Sequence, residues 1–152
     1  MQYELLVDSG RDDDKGLWFS YLCPQAYEYV ETKYKILKVP QVRMLQFPLS
    51  SLAPQLLPNG CAMPDTFLPT TVNLMAIYYG LERFSKRVGM MPVEVLTASG
   101  RAADRVNGIR SHGLSPIELA WCKAIFNIKW LGVRATWVVD PVCIRSKLGY
   151  LE

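Results

Sequence analysis

The sequence predicts one α+β domain over residues 1–152, and three observations carry that expectation. Two runs near the amino terminus, YELLV (3–7) and GLWFSYL (16–22), are rich in β-branched or aromatic residues and flank the polar run DSGRDDDK. From Thr71 to Ile128 apolar residues recur at helical spacing, and from Leu131 to Asp140 they alternate. The expected order is N-terminal β-hairpin and strands, a proline-rich extended linker, a helical middle and a C-terminal antiparallel strand. At 152 residues the chain has the size of one domain. Such a globule buries roughly 70% of the surface its unfolded chain exposes.

The two amino-terminal runs form the expected hairpin. Residues 24–39, PQAYEYVETKYKILKV, fit a helix opened by Pro24 or a strand, and their Tyr, Val, Thr and Ile content favours the strand. Residues 40–70 follow as a proline-rich, apolar, extended segment. Within it, 47–69 holds five prolines, eleven apolar residues and one charge, Asp65. That is too apolar for disorder and too broken for a long helix or a central strand. Ser51 is placed to cap one short turn, and Pro58-Asn59-Gly60 is a turn signal.

Helical signals begin at Thr71. Leu74, Ile77, Tyr78, Leu81, Phe84 and Val88 form one stripe, which Gly89 can end. Pro92 can open a short helix, PVEVLTAS, and RAADRVN follows, closed by Gly108. Ser115-Pro116-Ile117-Glu118 reads as a capping serine, proline at the first helical position and a glutamate placed for a capping box. The helix it opens is apolar on several sides and is expected to be covered on several sides. In LGVRATWVVD, Leu131, Val133, Ala135, Trp137 and Val139 share one face, as in a half-buried strand of an antiparallel sheet.

Composition narrows the class. The amino-terminal residues lack the basic start and long apolar run of a signal peptide, and prolines interrupt the longest uncharged stretch, so no spanning helix is expected. The expected location is cytoplasm or virion. Cys23, Cys61, Cys122 and Cys143 match no CxxC spacing and read as reduced, mostly buried thiols. The net charge of +3 divides into −2 over residues 1–80 and +5 over 81–152. Arg83, Lys86, Arg87, Arg101, Arg105 and Arg110 make up much of the positive half and are candidate phosphate contacts, or a solvated face with helix-terminal cations.

Signals for chemistry are sparse. Asp8, Asp12, Asp13 and Asp14 suggest calcium, but position 12 counted from Asp12 is Cys23, where an EF-hand loop needs a bidentate glutamate. His112 is the single histidine, which rules out zinc sites built on paired histidines. No GxSxG, Walker or GxGxxG motif is present. No cofactor or metal is therefore expected. LERFSKRVGMMPVEVLTAS has some helix-turn-helix character, but its second helix carries no Arg, Lys, Asn or Gln to read bases.

The leading expectation is a non-enzymatic structural subunit of a larger protein assembly, homo- or hetero-oligomeric, such as a head, neck or tail protein of a phage virion. The proline-rich segment would lie along a neighbouring subunit or over the chain's own core. Interface candidates are Phe47, Leu49, Leu52, Leu56 and Leu57, then Met63 and Phe67, with Trp18 and Tyr21 from the crowded amino-terminal aromatics. The alternative is a nucleic-acid-binding module using the basic region 81–110. A third reading is an enzyme built on His112 and a cysteine.

Overall fold

The computed structural model describes residues 3–12, 16–47, 69–88, 92–108, 116–128, 133–138 and 141–148. In chain order the elements are β1 (Tyr3–Asp12), β2 (Gly16–Glu31), β3 (Ile36–Phe47), α1 (Pro69–Val88), β4 (Val93–Thr97), α2 (Gly100–Val106), α3 (Pro116–Ile128), β5 (Val133–Trp137) and α4 (Pro141–Leu148). The strands form one sheet ordered β3-β2-β1-β4-β5. This is the mixed α+β class that the sequence predicts, with strands first, helices in the middle and a late strand.

β1 and β2 form the expected hairpin, Val7 opposite Tyr21 and Asp12 opposite Gly16. Residues 24–39 take the strand form, with a turn at 32–35 between β2 and β3. Two expectations are corrected. PVEVLTAS is a strand: Val93, Val95 and Thr97 are buried at every second position, with Glu94 and Leu96 alternating to the other face. Period two in β-branched residues outweighs the helix-opening proline. With that helix gone, no helix-turn-helix forms. The late strand β5 has the expected alternation, Val133 and Ala135 buried and Arg134 and Thr136 exposed, but it pairs parallel to β4. α2 and α3 lie between the two strands and return the chain to the end from which β4 began, which is the geometry of a parallel crossover.

The core sits where α1 packs on the sheet and α3 packs on α1. Leu5 and Val7 of β1, Phe19 and Tyr21 of β2, Val93 and Val95 of β4 and residues 71–77 of α1 are all buried. Phe19 stacks on Tyr79, and Tyr78 meets Trp121 of α3 edge-on with ring centroids 5.5 Å apart. α1 approaches the sheet closely because Gly80 faces Leu5. α3 begins at Pro116 as expected and buries Glu118, Trp121, Cys122 and Ile125. Its cover is incomplete, since Leu119 and Phe126 are exposed. No described helix is long and apolar enough to cross a membrane.

A methyl group at position 80 would lie 2.7 Å from Leu5 Cδ1 and 2.9 Å from Leu5 Cδ2, so the fully buried Leu5 side chain would have to shift. Gly80→Ala gains about 1 kcal/mol of helix propensity but loses about 1–3 kcal/mol to overpacking. Chemical denaturation should therefore show a net loss of about 1 kcal/mol. Unchanged or raised stability would mean that Leu5 moves aside.

Candidate nucleic-acid interface

β1 is where the winding of the sheet reverses: from it the chain moves one way to β2 and β3, and later the other way to β4 and β5. In sheets with parallel strands, ligands gather at such a reversal, beyond the carboxyl ends of the strands. Here that end holds polar residues within an apolar interior. Asp8, Ser20, Asn73 and Thr97 are each buried.

Hydrogen bonds join Thr97, Asn73 and Asp8 by way of Ser9. Thr97 Oγ1 donates to Asn73 Oδ1 at 2.6 Å, and Asn73 Nδ2 donates to Ser9 Oγ at 3.4 Å. The Ser9 amide donates to Asp8 Oδ1 at 2.9 Å. In the other direction the Ser99 amide donates to Thr97 Oγ1, and Ser99 Oγ accepts from the Ala102 amide to cap α2. One relay thus ties β1, the first turns of α1, β4 and the start of α2. The pleat turns Ser9 toward α1 with Leu5 and Val7, and it turns Asp8 to the opposite face with Leu6. α4 packs against β1 and β4.

A second polar contact stands nearby. Glu118 is fully buried and accepts from Arg101 Nε and Nη2, both at 2.9 Å, which raises the Arg101 pKa through hydrogen bond and charge. The glutamate expected to complete a capping box thus ties α3 to α2. On the far side, Asn107 brackets Ala135 of β5 with two bonds of 2.9 Å.

The residues singled out in the sequence are dispersed by this fold. Tyr21 is a core residue at 2% exposure and so not an open interface side chain, and Trp18 lies half-buried over Gly10. Phe47 ends β3, whereas Leu49, Leu52, Leu56, Leu57, Met63 and Phe67 lie outside the described residues. Among the cations, Arg105 is buried, Arg101 is engaged by Glu118, and Arg83 is half-buried on α1. Lys86 and Arg87 lie in the last turn of α1; Arg110 and His112 lie outside the described residues. No sequence motif marks Asn73 or Thr97. Asp8 stands in the polar run DSGRDDDK that the sequence assigns to a hairpin loop, but β1 continues through it to Asp12.

No family model and no curated protein sequence matches the chain; its resemblance to known proteins is structural. The N-terminal RNase H domain of a Mycobacterium tuberculosis protein, solved as a fusion with maltose-binding protein, superposes with a TM-score of 0.58 at 10% identity, over 99% of this chain and 92% of that one. RNase H1 from the halophilic archaeon Halobacterium salinarum gives 0.57 at 10% identity, over 91% and 86%. LC11-RNase H1, solved in complex with an RNA/DNA hybrid, gives 0.58 at 14% identity, over 97% and 88%. The fold is RNase H-like.

These neighbours overturn the expectation of a non-enzymatic virion or assembly subunit, because the fold is shared with nucleic-acid-cleaving enzymes. Composition had no means of showing this, since the resemblance lies in strand order and pairing sense. Nucleases commonly use two metal ions, a chemistry that needs several carboxylates at one point. Among the described residues, Asp8 is the one carboxylate in the relay, and no group of three or more His, Cys, Asp or Glu converges. The described residues by themselves do not make up the donor set of a metal pair.

Thr97→Val keeps the shape of the side chain but removes both the donor to Asn73 and the acceptor for Ser99. Buried polar groups left unmatched cost about 1–3 kcal/mol each, so urea denaturation should show a loss of about 2–4 kcal/mol. A change below about 0.5 kcal/mol would show that the relay is not structural.

Proposed function

We propose that this chain is a nucleic-acid domain that receives a duplex of the RNA/DNA hybrid kind at the crevice where β4 ends beside Val7 and Asp8 of β1. The observation that carries the reading is the buried polar relay at the point of strand reversal, in a fold shared with RNase H domains. Ser9 and Ser99, half-buried at the rim, present hydroxyls and amides of the type that contacts phosphate and sugar oxygens. Asp8 is the acidic group at this point. Within this proposal its carboxylate accepts a proton from a water whose oxygen bonds to the phosphorus of the bound RNA strand; the P–O3′ bond breaks and the leaving 3′ oxygen takes a proton from solvent. Positive charge from the carboxyl-terminal half, including Lys86 and Arg87 of α1, steers the polyanion.

Binding of a labelled RNA/DNA hybrid, followed by fluorescence anisotropy, should fall steeply with salt. Three phosphate contacts predict about 40-fold weaker binding at 200 mM than at 50 mM. Asp8→Asn should leave that affinity within about threefold, a change of less than 0.7 kcal/mol, and should abolish cleavage of the RNA strand. Absence of binding at low salt overturns the reading. Binding by the native chain without cleavage would retain the interface and remove the hydrolytic role given to Asp8.

A further inference from the structure

β2 and β3 outlast the rest of the sheet. Pairing of β2 with β1 runs from Gly16 to Leu22, and after Cys23 the ladder with β3 shifts register, so that Tyr27 faces Pro40. Beyond the shift only two strands remain, Tyr27–Glu31 against Ile36–Pro40. A two-stranded ribbon is marginal in water by itself. This one is closed by a tight turn: the Thr32 amide and hydroxyl both donate to the Lys35 carbonyl, and Thr32 Oγ1 accepts from the Lys35 amide.

Its exposed surface is aromatic and cationic. Tyr29 is 73% exposed, Tyr34 88% and Ile36 64%. Lys33, Lys35 and Lys38 are exposed beside them. Lys38 Nζ sits 4.4 Å from the Tyr27 ring centroid and Lys33 Nζ 5.7 Å from that of Tyr34, so cations and rings form one surface. By register, Tyr27, Tyr29, Glu31, Ile36 and Lys38 share a face, so one exposed carboxylate stands among the rings and the three lysines of the ribbon.

We propose that this ribbon holds an unpaired strand of nucleic acid, its bases stacking on Tyr29 and Tyr34 and its phosphates meeting Lys33, Lys35 and Lys38. This rests on the reading that the chain binds nucleic acid and adds a second contact remote from the crevice. Charge decides the occupant. Cores of protein interfaces are enriched in tyrosine but depleted in lysine, whereas single-strand sites combine rings with cations. The ribbon leaves the sheet at the end opposite Asp8. Ser20, the partner of Asp8, pairs with Met44 and Tyr29 with Lys38, six steps apart along β3, a distance of about 20 Å. A duplex at the crevice would therefore reach the ribbon with its frayed or overhanging end, after about six base pairs at 3.4 Å each.

Tyr29→Ser/Tyr34→Ser tests this, because both side chains are exposed and the fold does not need them. Affinities of the native chain and the variant are measured for a blunt RNA/DNA hybrid, the same hybrid with a single-stranded overhang of either polarity, and an unpaired oligothymidine. The native chain should prefer the overhang hybrid, and the variant should lose at least about tenfold for it and for oligothymidine, with blunt-hybrid affinity unchanged. Equal loss on blunt and overhang hybrids would overturn the assignment to an unpaired strand. Unchanged affinities together with a smaller sedimenting mass would overturn it in favour of a second copy of the chain. If the native chain binds oligothymidine but no blunt hybrid, the crevice reading fails and the ribbon assignment stands.

Discussion

Leu5, Leu6 and Val7 are buried in succession, so both faces of β1 must be covered, and both of its edges are hydrogen-bonded. Much of the architecture follows from that constraint. One edge takes β2 through a short hairpin, antiparallel, and the other takes β4 in parallel after a long excursion through β3 and α1. α1 covers the Leu5 and Val7 face at the close range that Gly80 permits, and α4 packs on β1 and β4. A central strand flanked in this way makes its own carboxyl end the point where the winding reverses.

That end cannot be filled with hydrocarbon alone, because hydrogen bonds must be found where β4 stops and α2 begins. The Thr97 hydroxyl serves both directions, giving its proton to Asn73 and receiving one from the Ser99 amide. The Thr97 carbonyl in turn accepts from Val138 as the chain leaves β5. A relay of this kind fixes the relative height of α1, β1, β4 and α2. It also leaves serine hydroxyls and the Asp8 carboxylate where a polyanion's sugar-phosphate edge could be received. Under the proposed function, the side chains that hold these elements together are also those that would meet the nucleic acid.

Much of the fold was legible in local pattern. The hairpin, α1, α2, α3 and the alternation of β5 follow from β propensity, helical spacing and caps, with Pro116 marking the start of α3. What local pattern lacks is partnership. PVEVLTAS reads as a helix because Pro92 precedes it; only its place between β1 and β5 makes the alternation of Val93, Val95 and Thr97 decisive. Pairing sense depends on the length of the intervening crossover. Asp8, Asn73 and Thr97 are 24 to 89 residues apart and of unremarkable types, so nothing in sequence spacing unites them. The amino-terminal aromatics looked like one population but are two: Phe19 and Tyr21 build the core, and Tyr29 and Tyr34 face solvent on the ribbon.

The account places nucleic acid at the reversal point, bordered by β1, the start of α1 and the end of β4. Amide chemical shifts of the ¹⁵N-labelled chain, followed during titration with a blunt RNA/DNA hybrid, test that placement most directly. The account predicts that the largest changes fall on Asp8, Ser9, Asn73, Thr97 and Ser99. Changes confined to the outer face of α3 around Leu119 and Phe126, or none at all, would contradict it.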